Sequence, residues 1–150
     1  MSNAATLVFS AGTALGGLPL QLVEETMRPL PVESWSGGLA CIDGISIVRG
    51  APAPVINVEA LLSGRRGTLG RFIAVRAGAG RAVLAVETVL GIWPTERLGL
   101  APLPPLLDGQ LAATIDAVGR LDAQLLLVLR AAQLVPPDVW QALAAREAVA

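Results

Sequence analysis

Histidine, lysine and tyrosine are absent from this chain, and cysteine occurs once, at Cys41. Without histidine there is no commonest general base, no histidine zinc site and no Ser-His-Asp arrangement. Without lysine there is no Schiff-base chemistry and no phosphate-gripping P-loop lysine. Carboxylates remain, but they are scattered, and no spacing pairs two of them for acid–base work. No metal, cofactor or catalytic residue is expected. A lone cysteine permits no internal disulfide, which fits a reducing compartment. Cys41 stands among Leu39, Ala40 and Ile42, so a buried, inert thiol is predicted.

Charge is scarce too: 15% of residues are charged and the formal net charge is −1. There is no block of basic residues, so the electrostatic footprint of a nucleic-acid binder is missing. All eleven basic residues are arginine, which reads as genome composition. Long hydrophobic runs are also missing. Met1 to Val23 carries no charged side chain, but Gly12, Gly16, Gly17 and Pro19 interrupt it. No span reaches the roughly 18 apolar residues of a membrane helix, and no basic leader precedes it. A soluble cytoplasmic protein without membrane insertion is the expectation. What is present is apolar bulk: 53% hydrophobic residues with only 3% aromatics predict a core of Leu, Val, Ile and Ala. The 150 residues suit one domain, or two small subdomains sharing a core.

The chain reads as short strands punctuated by Gly and Pro, the pattern of an all-β barrel protein. Thr6 to Ala11 is predicted as a strand. Leu15 to Thr26 contains a second extended stretch, with Leu18, Leu20 and Leu22 alternating and Val23 and Glu25 on the other face. Pro29 and Pro31 end it. Arg71 to Arg76 and Arg81 to Ile92 form a hairpin around Ala77-Gly78-Ala79-Gly80. Leu98 to Leu107 is an extended connector, and Asp108-Gly109 is a turn. Gln110 to Val118 and Asp122 to Leu129 are strands joined at Gly119-Arg120, and Arg130 to Leu134 starts a helical turn. Residues 136–149 are the clearest helix, with Val139, Trp140 and Leu143 as its apolar stripe. There is also an internal echo. Val23-Glu24-Glu25-Thr26 before Pro29-Leu30-Pro31 resembles Val86-Glu87-Thr88 before Pro102-Leu103-Pro104, as two related β-subdomains would produce.

The stretch from Asp43 to Leu62 organises the rest. Ile45, Ile47 and Val48 suit a strand. Arg49-Gly50 interrupts it with a charge and a residue free to take positive φ. Pro52 and Pro54 lack ladder donors, so Ala51 to Pro54 is expected as a turn or a sheet edge. Val55, Ile56 and Val58 resume the strand. Asn57 is the N-cap of a short helix that Gly64 ends. Arg49 between two apolar strands needs a carboxylate, carbonyls or a partner surface.

Gly44-Ile45-Ser46-Ile47-Val48-Arg49-Gly50 followed by Pro54-Val55-Ile56-Asn57 resembles the chemotaxis coupling family of CheW-like proteins. Leu18-Pro19-Leu20, Val23-x-Glu25, Pro29-Leu30-Pro31, Leu84-Ala85-Val86-Glu87-x-Val89 and Leu125 to Leu129 resemble further motifs of that family, in its order and spacing. Two departures stand out. Gly16-Gly17 replaces a usual aromatic-Ala pair, and Asn57 and Glu87 stand where Asp is common.

The resemblance implies an all-β fold over residues 1–150: two small intertwined β-barrel subdomains of SH3-like type, a short helix after Asn57 and a C-terminal helix at about 136–149. It implies a non-enzymatic adaptor joining the cytoplasmic tip of a chemoreceptor to the regulatory domain of a CheA-type histidine kinase, recruited to membrane receptor arrays. It places partner binding at Val23, Glu25, Arg49, Gly50, Pro54 and Val86. Two readings stand for Glu25 and Arg49: contact with a partner, or pairing with each other inside the domain. Two other functions stand beside the adaptor. One is a sensory barrel with a small-ligand pocket opened by Gly16-Gly17. The other is an enzyme using Glu25, Asp43 or Glu87.

Overall fold

The structure is a computed structural model; it describes residues 4–35, 41–67, 69–103 and 113–149. Among the described residues, ten strands form two sheets of five. In chain order they are β1 (Ala5–Ala11), β2 (Ala14–Pro19), β3 (Val23–Met27), β4 (Ile42–Val48) and β5 (Ala51–Asn57). Helix α1 (Val58–Ser63) follows, then β6 (Arg71–Arg76), β7 (Arg81–Val86), β8 (Thr88–Pro94), β9 (Ile115–Leu121) and β10 (Gln124–Leu129). Helix α2 (Pro137–Val149) ends the chain.

The first sheet has the order β8-β1-β2-β10-β9 and the second β3-β6-β7-β5-β4. Moving five strands along the chain converts one order into the other. The pairings match as well: β2 with β10 and β7 with β5 are parallel, and the other pairs are antiparallel. The two halves of the chain are therefore copies of one plan, each giving its first two strands to one sheet and its last three to the other. Strand β3 continues from β2 but joins the second sheet, and β8 continues from β7 but joins the first. The echo between Val23-Glu24 and Val86-Glu87 marks these two crossings.

Each sheet curls until its edges meet at one bridge. Glu33, beyond β3, exchanges two 2.8 Å backbone hydrogen bonds with Ile45 of β4. Ala101, beyond β8, does the same with Val118 of β9 at 2.8 and 2.9 Å. Gly44 makes the first closure feasible: it sits at φ 152°, and a Cβ there would lie 2.1 Å from the Glu33 carbonyl oxygen.

Three apolar clusters hold this together. Val48, Ala53, Val55, Phe72, Ala74, Val83 and Ala85 fill the second barrel. Val8, Leu15, Leu98, Leu126 and Val128 fill the first. The largest cluster lies between the barrels and takes Leu7, Phe9 and Leu18 from one sheet and Ile56, Ile73, Leu84 and Val86 from the other. β7 is thus buried on both faces, alternate residues serving different clusters. Val139 and Leu143 of α2 are buried, and Val139 joins the shared core with Trp140 packed beside it.

Several predicted boundaries are corrected. The stretch from Leu15 to Thr26 is two strands in different sheets, separated by a 3-10 turn at Leu20–Leu22. The predicted return strand from Arg81 to Ile92 likewise breaks at Glu87, where the chain changes sheets. The last hairpin turns at Asp122 and Ala123, both at positive φ, and not at Gly119-Arg120. Gly119 is a strand residue, where a Cβ would meet the Leu98 carbonyl oxygen at 2.6 Å. Leu98 lies in a 3-10 turn rather than an extended connector.

Ala51 to Pro54 is not a turn but the first part of β5, paired with β4 on one side and, short of the β7 ladder, an edge on the other. The hairpin closes on the pair Val48↔Ala51, so Pro52 and Pro54 occupy alternate positions facing away from β4's hydrogen bonds. Pairing with β7 begins only at Val55, beyond both prolines. The predicted turn at Asp108-Gly109 and the strand start at Gln110 lie outside the described residues. The strand itself begins at Ile115.

A candidate partner-binding face at one barrel mouth

The second barrel has one end crowded with charge. Three local devices bring it together. First, Arg49-Gly50 is a two-residue hairpin turn with φ 50° and 82°, the left-handed pair that suits the twist of the flanking strands. Nothing lies within 4 Å of a Cβ built at Gly50, so glycine serves the backbone there and not the packing. Second, the β3·β6 ladder shifts register between Val23 and Glu25, which makes Glu24 an extra, bulged residue. Third, β7 starts at Arg81, directly across from Arg76.

Arg49 Nε donates to Glu25 Oε2, linking the hairpin tip to β3. The Arg49 side chain is 68% exposed and that of Glu25 31%. Arg81 grips Glu24 with both ends of its fork, Nε to Oε1 at 2.7 Å and Nη2 to Oε2 at 3.3 Å. Its Nη1 also donates to the Val48 carbonyl at 3.3 Å. The Arg81 hydrogen bond holds the Glu24 carboxyl below the ordinary glutamate value, against a smaller opposing push from desolvation. The positive charges of Arg81, Arg76 and Arg49 add to the lowering. Arg81 is raised in turn by the same bond.

Of the six residues singled out from the sequence, Val23, Glu25, Arg49 and Gly50 converge at this mouth. Val23 is half-buried and packs against the shared core. Pro54 and Val86 are buried; Val86 lies at the opposite end of β7 from Arg81, within the shared core. Glu24 and Arg81 were missed. The doubled Glu24-Glu25 in a strand is the signal of a bulge. Arg81 carried no signal, because its partners come from the two edge strands of the sheet.

The other carboxylates lie apart. Asp43 accepts from Arg66 and from Asn57 Nδ2, while Glu87 accepts from Ser10 Oγ at 3.2 Å. Cys41 is buried, and burial pushes its thiol up, away from the reactive thiolate. Among the described residues no cluster of His, Cys, Asp and Glu could hold a metal ion. No helix among them is long and apolar enough to cross a membrane.

The glycine pair is filled, not open. A Cβ at Gly16 would lie 2.3 Å from Phe9 Cε1 and Cζ, and one at Gly17 would lie 2.9 Å from Thr6 Cγ2. A cavity of about 530 Å³ exists at the mouth of the first barrel, lined by Thr6, Leu20, Thr95, Leu100 and Asp116 among others, and neither glycine lines it.

Two five-stranded barrels around a shared core, with a charged hairpin at one mouth, define the class of fold. The family model for the CheW-like domain matches residues 5–137, and the chain belongs to that family, whose members are non-enzymatic scaffolds of chemotaxis signalling. The fold is the CheW fold of two SH3-like subdomains. The chain is similar to the crystal structure of the scaffolding protein TtCheW from Thermoanaerobacter tengcongensis. The TM-score is 0.74 at 25% identity, with 85% of this chain and 89% of that chain covered. No curated protein matches this chain.

Proposed function

We propose that this chain is a cytoplasmic, non-catalytic adaptor that couples chemoreceptor state to a CheA-type histidine kinase. It binds the receptor's cytoplasmic tip and the kinase's regulatory domain and is recruited with them to membrane receptor arrays. The observation that carries this reading is the convergence of Val23, Glu25, Arg49 and Gly50 on one barrel mouth. Residues matched to the family's motifs from 24 positions apart meet in an exposed ion pair beside an apolar strand start. A helical hairpin laid against such a face would take its register from the charges and its area from the apolar groups. Pairing between Glu25 and Arg49 and contact with a partner are compatible, since a guanidinium has donors to spare.

A pull-down from the protein's own cell extract tests this, with Arg49→Glu as control. Recovery of a receptor and a histidine kinase, both lost in the control, is the expected result. Recovery of neither from the wild type would sink the adaptor reading. The sensory-barrel alternative is weakened by Phe9 and Thr6, which occupy the space above Gly16 and Gly17.

A further inference from the structure

The two ion pairs at the barrel mouth differ in kind. The Arg49–Glu25 pair is outward, on a hairpin tip. Arg81 sits on β7, the middle strand of its sheet, and its guanidinium reaches β3 and β4, the two opposite edges. The residues it holds are Glu24, which immediately precedes Glu25, and Val48, which immediately precedes Arg49. One planar fork therefore grips the chain directly ahead of each member of the exposed pair. The Glu24 segment is the looser of the two, since Val48 is also paired with Ala51 and buried in the barrel core. Glu24 is the unpaired residue of a bulge, and Arg49 turns the chain at φ 50°. A lysine could not replace the clamp, because an ammonium is a point donor without the fixed fork.

We infer that Arg81 is a positioning residue for partner binding: through Glu24 and Val48 it sets the spacing and direction in which Glu25 and Arg49 are offered. The partner-binding half of this inference rests on the adaptor reading; the positioning half concerns the free protein alone.

The test uses the full chain as wild type, Arg81→Lys and Arg81→Gln. Nitrogen-15 relaxation of the Arg49 Nε–H reports its order in the free protein. Calorimetry gives affinity for the receptor's cytoplasmic helical hairpin and for the kinase regulatory domain. Arg49 order is expected to fall in both variants, with lysine giving no rescue. Affinity falls about tenfold, and the loss shrinks to less than about twofold when Glu25→Gln is already present. A purely structural role would leave the losses additive and the Arg49 signal unchanged in the folded variant; either result overturns the inference. If the Arg81 variants do not fold, Glu24→Ala opens the same clamp from its other side and must also loosen Arg49. A wild type that binds neither partner defeats the adaptor reading, and the relaxation data then still decide whether Arg81 positions the pair.

Discussion

The ring of Phe9 occupies the space that a side chain at Gly16 would need. The two are direct cross-strand partners in β1 and β2, and the ring's edge lies 2.3 Å from where a Gly16 Cβ would stand. Gly16→Phe alone is expected to cost about 3 kcal/mol by overpacking. Phe9→Ala costs a similar or larger amount, about 3–5 kcal/mol, through the cavity it leaves. The exchange Phe9→Gly with Gly16→Phe should recover part of the loss, since ring and gap trade sides. Urea denaturation of the three variants checks this. A double variant no better than the worse single one would show that the ring cannot be transferred.

The β9–β10 turn stores strain that its counterpart avoids. Ala123 takes φ 68° where the equivalent β4–β5 position holds Gly50 at φ 82°. An L side chain in the left-handed region costs about 1–2 kcal/mol. Ala123→Gly is therefore expected to raise stability by about 1 kcal/mol, and Gly50→Ala to lower it by a similar amount despite the open space around it. Thermal melting of both variants, compared with wild type, measures the two opposite shifts.

Glu24 links stability to pH. Its carboxyl is held below 4.5 in the folded protein, chiefly by the Arg81 hydrogen bond. A depressed folded pKa stabilises the protein above the unfolded value, and the contribution is lost as pH falls through the folded value. The stability difference between wild type and Glu24→Gln should be full at pH 7 and should shrink as pH drops below about 4.5. Because the Glu24 side chain is 32% exposed, high salt should reduce it as well. A difference that stays constant with pH would separate Glu24 from the Arg81 bond.

Asn57 does two jobs from a buried position. Its Oδ1 accepts from Ala60 N at 3.0 Å, capping α1, and its Nδ2 donates to Asp43 Oδ2 at 3.3 Å. At 2% exposure no water can replace either bond. Asn57→Ala should cost about 1–2 kcal/mol. Chemical denaturation is the measurement, and a loss below about 0.5 kcal/mol would mean the cap carries little of the stability.

Substitution of Arg49 is expected to separate binding from folding. Its side chain is 68% exposed, and exposed ion pairs contribute roughly 0–1 kcal/mol. Arg49→Ala should leave the melting temperature nearly unchanged while weakening partner binding. A large drop in melting temperature with unchanged affinity would make Arg49 a structural residue instead.

Local chemistry was legible before the structure. Asn57 and Gly64 bound α1 as read, because a cap is an interaction over three or four residues. Val139 and Leu143 face the core as their helical spacing predicts. The site was half legible. Val23, Glu25, Arg49 and Gly50 came from motif matching, yet nothing local distinguishes them from Pro54 and Val86, which proved buried. Glu24 and Arg81 were not legible, since they lie 57 residues apart. The crossing at Glu87 was read as uninterrupted strand because no glycine or proline marks it, and the one at Leu20–Leu22, although Pro19 precedes it, because the alternating Leu18, Leu20 and Leu22 mimic a strand.

The sequence by itself determined most strand-forming segments, the strand break at Arg49-Gly50, the capped helix and the family, since each depends on neighbouring residues or on motif order. Only the tertiary structure decided which sheet each strand joins, that the chain changes sheets before β3 and before β8, and that Phe9 answers Gly16. Strand pairing is a choice among partners far apart in the chain, and an extended segment with two apolar faces satisfies several of them equally. The choice is made by the shared core, which buries both faces of β7 only when the two halves interlock.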